Sequence, residues 1–325
     1  MPLVRRAVLL YAVATFGLPW MASLALAQSY PSHPVRIVVG FPAGGPVDLA
    51  ARVIGPWLSE RLGQPFVIEN RPGESGNIAT REVLRAAPDG HTLLLCGPVN
   101  TINTTLFTGL DFDFANDVAP VAGISRVPLV IEVHPSLRVR SVPEFLALAR
   151  ERPGGVRVAY AGKGTPQHLG IELFKAMAGV DLTLVPYLGS APALADLLDG
   201  RVDAMFDPLP SSIEHIRAGR LIPLAVTARE RSQALPDVPS IDAFVPGYEA
   251  GSWFGLVAPK GTPITIVESL DGAVAAGLAD PTVRGRLAGM GATPMPLSSD
   301  GFGRFIVGET ERYGAAVRAA GLRSQ

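Results

Sequence analysis

The chain has 325 residues, of which 28 are basic and 29 are acidic, so its formal net charge at neutral pH is −1. A near-neutral chain without a stripe of basic side chains does not favour nucleic acid as a partner. Roughly 300 residues follow the N-terminal apolar segment, which exceeds what one hydrophobic core usually holds, so the length predicts two domains.

The first 27 residues have the layout of a secretory signal peptide. Arg5 and Arg6 precede an apolar segment, residues 7–26, which closes on Ala25-Leu26-Ala27. We predict cleavage before Gln28 and export of the mature chain. The alternative is an uncleaved membrane anchor, because the apolar segment is long enough to span a bilayer.

The cysteine and histidine positions indicate no disulfide, metal site or cofactor. The single Cys96 ends the apolar run 92–96, and an unpaired cysteine is usually an interior residue, so we predict a buried thiol. The five histidines occur in none of the spacings typical of metal ligands. We therefore predict neither a metal site nor a cofactor.

A strand, a glycine turn and a helix come first in the mature chain. Residues 35–41 form a β-branched apolar run that predicts a buried strand, and apolar residues recur at helical spacing over 50–58. Between them, Gly44 and Gly45 allow close approach of a ligand, and Pro46 suits the first helical position. Free amides and the helix dipole at such a start favour an anion.

The anion predicted at this turn is smaller than a phosphate group. Residues 40–45 match half of a P-loop, but Pro46-Val47 replaces its Lys-Ser/Thr, and the turn 162–167 lacks the last glycine of a dinucleotide fingerprint. A carboxylate is the better candidate. Asp48 lies in the first turn of the helix, where it either caps that turn, which we favour, or contacts the ligand.

Strands and helices continue to alternate after this unit. We predict a strand at 66–69, a loop at 70–77, a helix at 78–87 and a strand at 92–96. This order predicts a parallel, doubly wound sheet, whose ligands bind beyond the carboxyl ends of the strands. The loop that carries Asn100 should therefore face the same crevice as the first glycine turn.

The strand, turn and helix unit recurs in a second domain. Residues 108–125 are interpreted as an irregular crossing that leads to a strand at 128–133. The repeat comprises a strand at 157–161, a turn at 162–167 and a helix at 168–178. The segments that follow are a strand at 182–187, a helix at 193–198, a strand at 202–206, a loop at 207–211, a helix at 212–218, a returning segment at 221–227 and a strand at 253–257. We predict one domain from 28–124 with 229–325 and another from 125–228, with both glycine turns facing one cleft.

The second turn offers side chains as well as amides. Lys163 could add positive charge for a dianion, although a plain surface position is slightly favoured. Gly162, Gly164 and Thr165 could supply main-chain donors, and the Thr165 hydroxyl another. His168 could donate to a ligand, but local packing or capping is the more common role for such a histidine.

The next two strand ends add further polar groups. Tyr187, Gly189 and Ser190 lie at the start of another predicted helix, where a phenol, a hydroxyl and amides are available. Asp207 would repel a carboxylate, so its useful role is to read a ligand ammonium or hydroxyl group. Anchoring an Asx-Pro turn is the equally weighted alternative.

An exported serine hydrolase is the competing class of function. Ser75 or Ser190 would be the nucleophile and His91 or His168 the base. The nearest approach to a nucleophile elbow surrounds Ser75, but its glycine spacing is wrong and it does not directly follow its strand.

Segments spread over the whole mature chain resemble one family. They are Tyr30-Pro31, Pro34 to Val39, Phe41 to Gly45 with Asp48, Glu69 to Gly73, Ala87 to Leu94, His168 to Phe174, Val185 to Pro192, Ala225-Val226-Thr227 with Arg231, and Pro236 to Pro239. Together they resemble the Bug-type extracytoplasmic solute receptors of tripartite tricarboxylate transporters.

The resemblance implies an α/β fold of the two-domain periplasmic-binding-protein clamshell type (type II-like), with mostly parallel sheets flanked by helices. It implies a monomeric periplasmic receptor, not an enzyme, that captures a di- or tricarboxylate, an amino acid or an aromatic acid for membrane permease subunits. A receptor that reports to a membrane sensor is the alternative. In this family the ligand carboxylate is held largely by main-chain groups and bridging waters from two glycine loops. Those loops correspond here to Pro42 to Gly45 and to Gly162 to Pro166.

Several loop residues depart from the family pattern, which leaves the ligand open. They are Pro46, Glu74, Lys163 and the segment 96–98. Lys163 weakly favours a dicarboxylate over a neutral ligand, and non-acids such as nicotinamide-like compounds, which some relatives bind, stay open. The predicted ligand-binding residues are Phe41, Pro42, Ala43, Gly44, Gly45, Asp48, Asn100, Gly162, Lys163, Gly164, Thr165, Pro166, His168, Tyr187, Gly189, Ser190 and Asp207.

Overall fold

The computed structural model describes residues 30–319, 321 and 322, so the predicted signal peptide lies outside the described residues. Within them the strands are β1 (Val35–Val39), β2 (Phe66–Asn70), β3 (Thr92–Cys96), β4 (Val118–Val133), β5 (Arg157–Tyr160), β6 (Thr183–Pro186), β7 (Ala204–Pro208), β8 (Ile222–Val226), β9 (Gly251–Pro259) and β10 (Thr293–Pro294). The helices are α1 (Pro46–Leu62), α2 (Asn77–Leu84), α3 (Pro98–Leu106), α4 (Phe114–Asp117), α5 (Val142–Glu151), α6 (Pro166–Ala178), α7 (Ser190–Leu198), α8 (Leu209–Arg217), α9 (Ile264–Ala279), α10 (Pro281–Gly289) and α11 (Ser299–Ala319).

The strands form two sheet sections that share β4. The first has the order β2-β1-β3-β9-β4 with β10 added to β4, and the second has the order β4-β7-β5-β6 with β8 added to β4. We call residues 30–128 and 251–319 the first lobe and residues 129–250 the second lobe. Strands β1, β2 and β3 are parallel, as are β5, β6 and β7, whereas β4 and β9 pair antiparallel with their neighbours. The predicted α/β clamshell class is confirmed.

The strand β4 passes from one lobe to the other. Its pairing with β9 ends at Pro128, and from Leu129 it pairs with β7 and β8. The prediction of an irregular segment over 108–125 is wrong, because α4 and the start of β4 lie there. Pro120 and Gly123 coincide with register shifts inside one continuous strand, where such residues are tolerated.

Helices α6, α7 and α8 begin earlier than predicted, and one predicted loop is therefore partly regular. Helix α6 begins at Pro166 and α7 at Ser190, which places their first turns directly after the preceding glycine turns. The prediction of a loop over 207–211 is wrong, because β7 runs to Pro208 and α8 begins at Leu209. Proline at the first or second helical position is compatible with an immediate helix start.

Each lobe has its own apolar core, and a smaller cluster joins the lobes. In that cluster Leu169 of α6 packs against Ile102, Leu106, Tyr313 and Val317 of the first lobe. Such a contact exists only while the two lobes are close together. It therefore contributes to holding the cleft shut.

The thiol of Cys96 is fully buried, which confirms its predicted position. Its side chain donates a weak hydrogen bond to the Gly255 carbonyl at 3.4 Å. Burial raises the pKa of this thiol well above its ordinary value. The group is therefore an unreactive part of the core at neutral pH.

No helix within residues 30–319 is both long and apolar enough to span a membrane.

Candidate functional site

A cavity that is partly open to solvent lies where the two lobes meet. We call it the interlobe cavity. Its first-lobe lining consists of Phe41, Pro46, Val47, Gly97, Pro98, Val99, Ser252 and Phe254. Its second-lobe lining consists of Ala161, Thr165, Pro166, Gln167, Ser190 and Pro208. None of these residues carries a formal charge.

Four helices begin at the interlobe cavity, two from each lobe. Helices α1 and α3 begin there at Pro46 and Pro98, and helices α6 and α7 at Pro166 and Ser190. The N-terminal end of a helix carries the positive end of its dipole. Four such ends around one uncharged cavity create positive potential without a cationic side chain.

Free backbone amides accompany these helix starts. Proline at the first position of α1, α3 and α6 removes a donor that would have no partner within the helix, and the next residue keeps its N–H. Those next residues are Val47, Val99 and Gln167, and all three line the interlobe cavity. The arrangement can therefore bind an anion through main-chain donors.

Asp48 anchors the first glycine turn. One carboxylate oxygen accepts hydrogen bonds from the Gly44 amide at 2.9 Å and from Arg52 at 2.7 Å, and the other accepts from Asn70 at 3.0 Å. Burial raises the pKa of this carboxyl, but the donors outweigh burial and hold it below its ordinary value. Gly44 has φ +82°, a conformation that favours glycine. Asp48 thus holds the turn through the Gly44 amide, which precedes the helix, and it does not line the cavity.

Asn100 plays a similar part in the third loop. Its side-chain oxygen accepts from the Gly97 amide, and its side-chain nitrogen donates to Thr80, both at 2.9 Å. Its polar groups are therefore used inside the first lobe. Its neighbours Gly97 and Val99 line the interlobe cavity in its place.

The second glycine turn is held by the start of its own helix. The Thr165 hydroxyl donates to the Gly162 carbonyl at 2.8 Å and accepts from the His168 amide at 3.3 Å. The His168 ring stacks on Tyr160, and its Nδ1 accepts from the Gly164 amide at 3.4 Å. Burial lowers the pKa of His168, so the neutral ring is favoured. Lys163, in contrast, is exposed beside the cleft.

The side chains of the last predicted group point to different places. The Tyr187 hydroxyl donates to Asp196 at 2.7 Å, away from the interlobe cavity. Ser190 lines the cavity and donates to Asp207 at 2.5 Å, while Gln167 donates to the Ser190 oxygen at 3.2 Å. Asp207 is fully buried behind Ser190.

The glycine turns of the two lobes touch each other across the cleft. A Cβ atom built on Gly189 would lie 2.8 Å from the Pro42 ring, and one built on Gly164 would lie 2.4 Å from Leu106. The Ser75 hydroxyl donates to the Lys163 carbonyl at 2.8 Å. The structure therefore shows the two lobes in contact at the cavity.

The Ser75→Ala variant should bind ligand about 3- to 10-fold more weakly, because one hydrogen bond that joins the lobes is lost. The melting temperature without ligand should stay the same. Isothermal titration with the best-binding acid checks this. Ser136→Ala is the control, since its hydroxyl contacts His134 within one lobe; equal affinities for Ser75→Ala and wild type would contradict the role of this contact.

Among the predicted site residues, four line the interlobe cavity: Phe41, Thr165, Pro166 and Ser190. The others lie in the loops around it or support those loops. Sequence reasoning left out of the predicted site Pro46, Val47, Gly97, Pro98, Val99, Ala161, Gln167, Pro208, Ser252 and Phe254. A local signal existed for three of them. Glycine followed by proline marks the helix starts at Pro46 and Pro98, and Gln167 directly follows Thr165-Pro166 at the start of α6. No local pattern indicated Ser252 and Phe254, which arrive on β9.

The serine and histidine pairs required for a hydrolase do not form hydrogen bonds with each other in the described residues. The hydroxyls of Ser75 and Ser190 are used by Lys163 and Asp207. The His91 ring stacks on His33 and accepts from the Ser32 amide. Over the described chain, no group of three His, Cys, Asp or Glu side chains is arranged to hold a metal ion.

Comparisons with known proteins agree on one family. Residues 50–322 match the tripartite tricarboxylate transporter family receptor. BugT of Bordetella pertussis is 36% identical over 315 residues, which is 96% of this chain and 95% of that protein. The structure of R. palustris Rpa4515 with adipate is 42% identical in sequence to this chain and superimposes with a TM-score of 0.88. The match covers 90% of this chain and 99% of the Rpa4515 chain. MatC from Rhodopseudomonas palustris with bound malate is 34% identical in sequence, with a TM-score of 0.83. That match covers 89% of this chain and 100% of the MatC chain. This chain belongs to the tripartite tricarboxylate transporter receptor family.

Proposed function

We propose that this protein is an extracytoplasmic receptor that captures a small carboxylate in the interlobe cavity and presents it to the membrane permease of a tripartite tricarboxylate transporter. The observation that carries the proposal is the meeting of four helix starts at one uncharged cavity. Membership of the receptor family supports the same role. The protein acts by binding and release, without chemical turnover, as a periplasmic monomer freed from its signal peptide.

A carboxylate is the anion that suits this cavity. Its two oxygens can accept hydrogen bonds from amides such as those of Val47 and Gln167, and its single charge matches the partial charges at helix ends. A phosphate dianion would usually recruit lysine or arginine, and neither lines the interlobe cavity. Adipate in Rpa4515 and malate in MatC are both small carboxylates and support this class.

Capture requires the lobes to open and close. The chain crosses between them at Pro128 to Leu129 within β4, and again at Ala250 to Gly251, where β9 begins. These few crossings are the natural hinge of a clamshell. We place the domain boundaries there, so that a first domain contains α1 and α3 and a second contains α6 and α7. Ligand binding then stabilises the closed arrangement by a shift of population.

A thermal-shift screen tests the proposed function. Di- and tricarboxylates, amino acids and aromatic acids are each added to the purified mature protein. A cognate acid at 100 times its Kd stabilises the fold by about 2.7 kcal/mol, which raises Tm by roughly 5 °C in a protein of this size. The matched amide of each acid, in which every carboxyl group is replaced by a carboxamide, is the control and should leave Tm unchanged. An absence of any shift across the acids would overturn the proposal.

A further inference from the structure

Asp207 is a buried carboxylate next to the interlobe cavity without a cation beside it. It has no exposed surface, and among the described residues it forms no ion pair. Its oxygens accept hydrogen bonds from the hydroxyls of Ser190, Ser211 and Ser212. Burying a charge without a cationic partner is unfavourable. An arrangement of this kind calls for positive charge from another source.

The donor and acceptor roles in this cluster are fixed by the ionised carboxylate, which can only accept hydrogen bonds. The single proton of Ser190 is donated to Asp207, so the Ser190 oxygen can only accept from other groups. Gln167 must therefore turn its nitrogen towards Ser190, as observed at 3.2 Å. This leaves the Gln167 side-chain oxygen, which accepts from no described residue, on a side chain that lines the cavity. The second-lobe wall thus presents acceptor oxygens to the ligand.

A second buried acid, Glu132, favours the same role of Asp207 as the hydrogen-bond acceptor of the cluster. Glu132 of β4 lies 2.6 Å from the Ser212 hydroxyl, and Ser212 lies 3.0 Å from Asp207. Burial and the charge of Asp207 raise the pKa of Glu132 well above its ordinary value. A protonated Glu132 donates to Ser212, which in turn donates to Asp207. In that state the pair holds one negative charge, located on Asp207.

We propose that the wall formed by Gln167 and Ser190, oriented by Asp207, selects acids that also carry a hydrogen-bond donor over unsubstituted acids of the same skeleton. Among such acids it prefers those with an ammonium group to those with a hydroxyl group. This inference rests on the proposed function and names its ligand class. The amides at the helix starts bind the ligand carboxylate, and the oxygens of Gln167 and Ser190 accept hydrogen bonds from the ligand's ammonium or hydroxyl group. Asp207 acts through Ser190 and is a positioning residue.

Matched sets of acids test this selection. Isothermal titration at pH 7.5 compares succinate, malate and aspartate, then glutarate, 2-hydroxyglutarate and glutamate, then adipate and 2-aminoadipate. In the skeleton that binds, the amino acid should bind about 10- to 100-fold more tightly than the unsubstituted acid, as expected for a hydrogen bond to a charged group. The hydroxy acid should lie between them.

The outcomes separate the two proposals. If an unsubstituted acid binds as tightly as its amino counterpart, the inference is wrong and the receptor function stands. If no acid of any skeleton binds, the receptor function itself fails, and the inference fails with it.

Variants locate the preference in this wall. Ser190→Ala and Asp207→Asn should each reduce the preference for the amino acid to less than about 3-fold, mainly by weakening the amino acid. Asp237→Asn, an exposed acid in the second lobe, is the control. Ser190→Ala leaves the buried acids in place, so it tests the inference even if Asp207→Asn fails to fold. An unchanged preference in Ser190→Ala would overturn the inference.

The pH dependence provides a readout that a merely structural role would not produce. Burial raises the pKa of Asp207 to about 6, although its hydroxyl donors oppose the shift. Below that pH Asp207 is protonated and donates to Ser190, which frees the Ser190 hydroxyl to donate towards the ligand.

The preference for the amino acid should therefore fall between pH 7.5 and pH 5. The groups that face Asp207 are Glu132 from β4, Gln167 from α6, Ser190 from α7, and Ser211 with Ser212 from α8. Of these only Glu132 titrates, and burial raises its pKa well above its ordinary value, which favours the protonated form. His168 faces Tyr160 and Gly164, and burial lowers its pKa. A preference that does not change with pH would contradict the inferred proton direction.

Discussion

The Gly189→Ala variant should bind its acid about 10- to 100-fold more weakly than the wild-type protein, with an unchanged melting temperature in the absence of ligand. Gly189 has φ 167°, an extended conformation that alanine adopts without strain. The added Cβ would lie 2.8 Å from the Pro42 Cδ atom of the opposite lobe. The clash therefore penalises only the closed arrangement. Isothermal titration and thermal unfolding measure the two effects separately.

Two controls isolate the clash. The double variant Pro42→Ala/Gly189→Ala removes the opposing ring atoms, so it should recover most of the lost affinity. Gly272→Ala places a Cβ on α9 with no atom within 4 Å and should bind like the wild type. If Gly189→Ala itself binds normally, the lobes do not close through this contact, and the proposed clamshell motion is wrong.

The Asp48→Ala variant should lower the free energy of unfolding at pH 7 by about 2–3 kcal/mol. It removes the only acceptor observed for the Gly44 amide within the described chain, together with the partner of Arg52 and one partner of Asn70. The first glycine turn would lose its anchor, so ligand affinity should fall as well. Urea unfolding and titration with the cognate acid measure both quantities.

The stability difference between wild type and Asp48→Ala should depend on pH in a defined direction. The folded-state pKa of Asp48 is lowered from its ordinary value of about 3.9. Its contribution is therefore complete above about pH 4 and lost as the pH falls through the lower folded-state pKa. Glu60→Ala, an exposed acid on the same helix, should change stability by less than about 0.5 kcal/mol. An equal difference at pH 7 and pH 2 would contradict the role of the carboxylate.

Local sequence was sufficient to predict the two glycine turns and the helices that follow them. Gly44 needs a positive φ, and proline at a first helical position needs no partner, so both requirements are met by residues that are neighbours in the chain. The strand β3 and the burial of Cys96 were predictable for the same reason, since an apolar run of this length is interior wherever the chain takes it.

The composition of the cavity wall could not be predicted in this way. Ser252 and Phe254 enter it because β9 pairs with β3 and β4, which are more than 100 residues earlier in the chain. The length of β4 depended on the same pairing, which accommodates Pro120 and Gly123 at register shifts. Long-range strand pairing leaves little trace in local periodicity.

The sequence by itself determined a family of small-acid receptors and the main-chain chemistry at its helix starts, because glycine and proline act on the backbone beside them. Only the tertiary structure decided what each polar side chain does. In the fold Tyr187 donates to Asp196, and the side chains of Asp48 and Asn100 form hydrogen bonds within the first lobe. Ser190 lies between Gln167 and Asp207. A side chain's hydrogen bonds depend on partners that folding brings together, and those partners lie up to 80 residues apart in the network around Asp207.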